Sequence, residues 1–231
     1  MEGQKTTKTF IWLLAIAFVI ILFNAYQIQS VKGMRGSILF SAAQYGNAQA
    51  GGTLASPESV SGILPAGIPE IYGKELGISF DDVSADNPRL ADATISKLGK
   101  MDIDIILNEE QKKRFINILY KMENGISCEY CCGARAVIFE NGEPACGCAH
   151  SYAMRGLTKY LLTKHADEYT DGQMLEEAGK WKVLFFPGVH EQKAAILKEK
   201  GVELNYINLA SNKYRGIEQG TSSGGQMVGG C

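Results

Sequence analysis

The chain has 231 residues, enough to bury a substantial core, and a formal net charge of −2 with its basic residues dispersed. That balance excludes the clustered cationic surface that nucleic-acid binding requires, so no nucleic acid is expected as a partner. Six cysteines in a chain of this length are too few for a disulfide-built miniprotein, and five of them fall between Cys128 and His150.

In chain order, a short polar leader precedes an unbroken apolar run, Phe10 to Phe23, which Ala25, Tyr26 and Ile28 extend to about the 20 residues that cross a bilayer as a helix. Trp12 and Tyr26 lie near its ends, where amphipathic rings favour the headgroup zone. The run has no polar face, unlike a buried core helix, and no small-x-small site directly follows it, unlike a cleaved signal peptide. Residues 1–29 are therefore expected to be a tail and signal anchor, with residues 10–28 in the lipid bilayer. Lys5 and Lys8 before the span nearly balance Lys32 and Arg35 after it. The short leader favours a cytoplasmic N-terminus with the main domain outside the cytoplasm.

Residues 30–70 read as a stalk and linker, in which Gly, Ser, Ala and Pro dominate from Ala50 and Pro57, Pro65 and Pro69 oppose a helix. A mainly helical, Cys-rich domain is expected over 71–215. Residues 71–83 suit a short strand or an irregular packed segment. Asp86-Asn87-Pro88 opens a helix to about Leu98. Asn108 with Gln111, and Thr170 with Gln173, have the spacing of capping boxes. The first starts a helix to about Met122, stopped at Asn124-Gly125, and the second a helix through Trp181 to Pro187-Gly188. Ser151 to Lys164 and Glu191 to Lys200 also have helical patterns, and Val202 to Leu209 suits a strand. Trp181, Phe185 and Phe186 read as core. Residues 216–231 form a Gly/Ser-rich tail ending in Cys231.

The chemistry is concentrated in the cysteine stretch. Cys128-x-x-Cys131 is a chelating pair, with Gly133 permitting the turn. Ala134 to Glu140 alternates enough for a strand, Asn141-Gly142 is a hairpin signal, and the return arm brings Cys146-x-Cys148 back toward the first pair. The expected fold class is thus mainly α with a small β-hairpin at the cysteine site and an N-terminal transmembrane helix. Cys128, Cys131, Cys146 and Cys148 would close a tetrahedral four-thiolate site, and Cys132 and His150 remain as second-site or exchangeable ligands. The expected occupant is a metal ion, zinc first. The surplus of soft ligands also suits copper or an iron–sulfur cluster. Disulfides, a thiol–disulfide redox centre built on Cys128 with Cys131 or Cys132, and a purely structural zinc knuckle are the alternatives. His165 suits the end of a helix, and His190 a helix start. Cys231, on an arm that can extend roughly 40 Å, can return as a ligand, hand metal to a protein partner or cross-link a homodimer. No P-loop, dinucleotide fingerprint or Gly-x-Ser-x-Gly occurs.

At Cys146-Gly-Cys-Ala-His150 the chain resembles the PCYCGC-motif proteins, which are membrane-associated or lipid-anchored. The match covers the Cys-x-Cys-x-His core, while the lead-in is Glu143-Pro144-Ala145. The wider pattern runs from Cys128-x-x-Cys131-Cys132-Gly133 through Gly142-Glu-Pro to His150 and ends at Phe185-Phe186-Pro187. It is similar to uncharacterised single-pass membrane Cys-rich archaeal proteins. The resemblance implies membrane anchoring and a metal-type site.

Overall fold

Local signals account for most of the helix boundaries. In a computed structural model of the chain, residues 62–219 and 227–229 are described, all within the compact unit Ser56–Cys231. Among them are seven α-helices: α1 (Gly73–Leu76), α2 (Pro88–Asp104), α3 (Glu109–Ile116), α4 (Ala149–Lys164), α5 (Asp171–Phe185), α6 (Pro187–Glu199) and α7 (Tyr206–Ala210). The Asn87 side chain accepts from Leu90 N at the start of α2, with Pro88 in the first turn, where its missing N–H leaves nothing unsatisfied. Both capping boxes form, Asn108 with Gln111 on α3 and Thr170 with Gln173 on α5. α3 continues as a π turn, Asn117–Lys121, and a 3-10 turn, Met122–Asn124, before the chain leaves at Gly125.

α2 and α4 make the most extensive helix–helix contact. Their close approach depends on Gly156, where an added Cβ would stand 2.0 Å from the Leu98 carbonyl oxygen. Between them lies a buried ion cluster: Arg155 Nε donates to Asp102 Oδ2 at 2.7 Å, and Lys159 Nζ lies 2.9 Å from Asp102 Oδ1. α5 packs on α7 and α4. Trp181, Phe185 and Phe186 are buried in the core, as their sequence context suggests. Trp181 Nε1 donates to Tyr72 Oη at 2.8 Å, and that hydroxyl donates to Glu177 Oε2 at 2.7 Å, so the polar edges carried into the core are paired.

Several expectations are corrected. The β-hairpin at the cysteine site does not form, and among the described residues there are only two isolated antiparallel bridges, Ile138–Pro144 and Ile126–Ser211. Asn141-Gly142 does reverse the chain, with Gly142 N donating to Phe139 O at 2.9 Å, Phe139 N to Glu143 O at 2.8 Å and Ala145 N to Val137 O at 3.1 Å. A longer ladder is prevented because Pro144 has no N–H to donate and Val137 N pairs with Ile126 O instead. The Val137 and Cys146 carbonyls also accept from Arg155.

Residues 71–83 form α1 and a 3-10 turn, Phe80–Asp82, rather than a strand. Residues 202–209 lead into α7 rather than forming a strand. α6 starts at Pro187, not Glu191, because proline at the first helical position is compatible with a helix. Residues 10–28, expected to span a bilayer, lie outside the described residues, as do most of the stalk and Cys231. Among the described residues no helix is long and apolar enough to cross a membrane. The longest, α2, has 17 residues and carries Arg89, Asp92, Lys97 and Lys100, whereas a span takes about 20 apolar residues. The single-pass membrane placement is corrected on that finding.

Candidate metal centre

An irregular loop must find partners for its backbone carbonyls, and here two arginines supply many of them. Arg215 donates from Nη1 to Ala134 O and Arg135 O at 2.9 and 3.1 Å, and from Nη2 to Gly133 O at 3.0 Å. Arg155 donates from Nη1 to Val137 O and Cys146 O at 3.1 and 2.8 Å. Behind the loop, Ser127 Oγ donates to Asn212 Oδ1 at 2.6 Å. The Cys128–Gly133 turn closes with Cys131 N donating to Cys128 O at 3.2 Å, and Gly133 takes the left-handed φ of 66° that ends it.

This frame gathers the sulfurs. Cys128, Cys131 and Cys148 present ligand atoms that all lie within 4.8 Å of one another, a cluster that can hold a metal ion. The Cys128 and Cys148 sulfurs are 3.4 Å apart, and the Cys148 and Cys146 sulfurs are 3.5 Å apart. Four sulfurs around one zinc at its usual bond length stand about 3.8 Å from one another, so these separations are close to those of a thiolate site. Cys132 and Cys146 lie at disulfide distance, with their Cα atoms 6.8 Å apart. Cys128 and Cys146 are buried, Cys148 is half-buried, and Cys131 and Cys132 are exposed.

Cys148 is the N-cap of α4. Its sulfur accepts from Ser151 N at 3.4 Å, and Ser151 Oγ is 3.3 Å away. The contact with Cys128 holds the Cys148 thiol well below its usual range, helped by hydrogen bonds from His150 and Ser151 against the opposing effect of burial. The same contact, followed by burial, pushes the Cys128 thiol up. The opposed shifts favour negative charge on Cys148, at the helix N-terminus where the peptide dipoles also favour it. A bound cation would favour the thiolate form of both sulfurs.

His150 is fully buried, and its Nε2 donates to Val228 O at 2.8 Å. The tail at 227–229 is held there from both sides, since Val228 N also donates to Phe185 O at 2.9 Å and the Val228 side chain is buried.

Of the six residues expected to bind metal, the structure brings Cys128, Cys131 and Cys148 into one ligand cluster. Cys146 lies beside Cys148 but is engaged with Cys132, and His150 stands against Cys148 without joining that cluster. His165 is buried at the end of α4, with Nδ1 2.7 Å from Glu168 Oε1 and Nε2 3.1 Å from Glu75 Oε2. His190 is buried, with Nδ1 donating to Phe186 O at 2.8 Å. Sequence reasoning did not pick out Arg155, Arg215 or Lys182 as supports of the site. The Lys182 side chain is buried, with Nζ 2.8 Å from both Glu129 Oε2 and Ala210 O, and so places a cation behind the Cys128-x-x-Cys131 turn. The charged residue between the two cysteines, Glu129, was the available signal.

Comparison with known proteins adds no relative: no family model, no curated protein and no solved structure matches the chain.

Proposed function

We propose that this protein binds a thiophilic metal ion, zinc in the first instance, through Cys128, Cys131 and Cys148, and that its role is metal handling or sensing. The observation that carries the reading is the convergence of three sulfurs, from two separate segments, within 4.8 Å. The exposed Cys131 gives an ion or an acceptor a route in. The thiolate donor set favours zinc, copper(I) or an iron–sulfur cluster over hard cations. The local resemblance at Cys146–His150 points in the same direction.

The test is metal content and free thiols in the full chain purified anaerobically under reducing conditions, followed by cobalt(II) titration. One equivalent of zinc, or of cobalt with intense sulfur-to-metal charge-transfer bands, is the expected result, lost in Cys128→Ser/Cys148→Ser. Absence of any bound copper, zinc or iron, together with no cobalt bands, overturns the reading.

A thiol–disulfide redox protein is the second reading. It is favoured by one observation, the Cys148 sulfur 3.5 Å from Cys146 of the Cys132–Cys146 pair, a contact suited to exchange.

A further inference from the structure

Cys146 occupies two roles that cannot be filled at once. Its sulfur lies 3.5 Å from Cys148 of the metal cluster, yet it is also at disulfide distance from Cys132. While that bond is in place, Cys146 has no thiolate to offer and the cluster supplies three sulfurs. Once the bond is reduced, Cys146 is placed to become a fourth, because Arg155 already fixes its carbonyl at 2.8 Å and its sulfur already lies 3.5 Å from Cys148.

The two halves of the pair differ in a way that gives the chemistry a direction. Cys132 is exposed and Cys146 is buried. A thiol from outside therefore reaches Cys132, and the sulfur expelled by that attack is Cys146, on the side of the cluster. The turn at Cys128–Gly133 thus places Cys131 in the cluster and its neighbour Cys132 against Cys146.

We propose that the Cys132–Cys146 pair is a redox gate on the metal site, closed as a disulfide and opened by a dithiol reductant. This rests on the metal-binding reading above. In the opening step one thiolate of the reductant attacks the Cys132 sulfur, forming a mixed disulfide and breaking the Cys132–Cys146 bond, with the electron pair leaving on Cys146. The second thiol of the reductant then attacks its own sulfur in the mixed disulfide and releases Cys132. The reductant becomes a cyclic disulfide, and the protein gains two electrons and two protons. When the ion binds, the proton on Cys146 passes to solvent and the thiolate completes a four-sulfur site. The reverse step needs a disulfide oxidant, which takes back the two electrons and releases the ion.

The gate is tested by zinc affinity of the full chain, measured by competition with a chromophoric chelator. The protein is compared after dithiothreitol reduction and after equilibration with oxidised glutathione, each reagent removed anaerobically. The reduced chain should bind zinc more tightly than the oxidised one by at least about 10- to 100-fold, the loss that removing even a hydrogen-bonding partner of a ligand causes. Peptide mapping should find Cys132–Cys146 as the disulfide. Cys132→Ser should bind tightly after either treatment, and Cys146→Ser weakly after either, with unchanged circular dichroism in both.

Equal affinity of the two wild-type forms, or a Cys132→Ser chain that still loses zinc on oxidation, overturns the gate while leaving the metal site standing. A reduced wild-type chain that takes up no zinc overturns both.

Discussion

Two buried charge clusters flank the cysteine loop, and they are built on opposite terms. On one side Arg155 and Asp102, 1% and 3% exposed in their side chains, face each other directly, with Lys159 on the second carboxylate oxygen. Arg155 spends its remaining reach on the carbonyls of Val137 and Cys146, leaving only Nη2 without a partner. On the other side Lys182 pairs with Glu129, but Lys193 and His190 are fully buried with Nζ and Nε2 lacking any hydrogen-bond partner among the described residues. Burial, then repulsion from Lys182, pushes the Lys193 ammonium down to about 8, against the pull of Glu129 and Glu218. Burial and Lys182 likewise hold His190 well below its usual range. The contrast shows where charge burial helps. A paired cluster fixes the arm that carries Cys146, whereas the second cluster backs the Cys128-x-x-Cys131 turn at a standing energetic cost.

The comparison is broken most sharply at Arg155. Arg155→Ala leaves Asp102 buried without its arginine and the Cys146 carbonyl without its donor, and should lower unfolding stability by about 3–5 kcal/mol in denaturant titration. Arg155→Met with Asp102→Leu should recover much of that loss, since neither charge is then stranded. A smaller effect is expected one residue on. Gly156→Ala drives a methyl group into the Leu98 carbonyl and should cost about 1–3 kcal/mol, because α2 and α4 must separate.

Lys193→Met should be close to neutral or stabilising at pH 7, opposite in sense to the Arg155 result, because it removes a charge the fold resists. The pH dependence sharpens this. An unfolded lysine binds its proton up to pH 10.5 while the folded one releases it at about 8, so the folding penalty is fully present below about pH 8. Between those values the unfolded state holds more protons and stability rises with pH. The contribution is roughly 3 kcal/mol at most. The difference between wild type and Lys193→Met, followed by denaturant unfolding from pH 7 to 10, should shrink as pH rises. A difference that stays constant would mean that burial does not lower the pKa of Lys193.

How far the sequence could be read depends on the range of the interactions involved. The capping boxes at Asn108 and Thr170 were legible because a cap is completed within four residues, and both are formed. The reversal at Asn141-Gly142 was legible for the same reason. The hairpin was not, because a ladder depends on which groups its carbonyls meet, and Arg155, which takes two of them, lies nine residues beyond Cys146. The three-sulfur cluster lies among the residues expected from spacing, while the engagement of Cys146 with Cys132 was not anticipated in its pairing. Docking of Val228 on His150 had no sequence signal, since a Gly-rich segment reads as unstructured until a buried ring offers it a donor.

By itself, then, the sequence determined a mainly helical domain with defined helix starts and a concentration of thiols in one short stretch, because caps, periodicity and composition act over a few residues. Only the tertiary structure decided which sulfurs meet. That outcome depends on where α4 presents Cys148 at its N-terminus, how Gly156 lets α2 approach, and how Arg155 and Arg215 draw the loop carbonyls inward, all of them contacts between segments far apart in the chain.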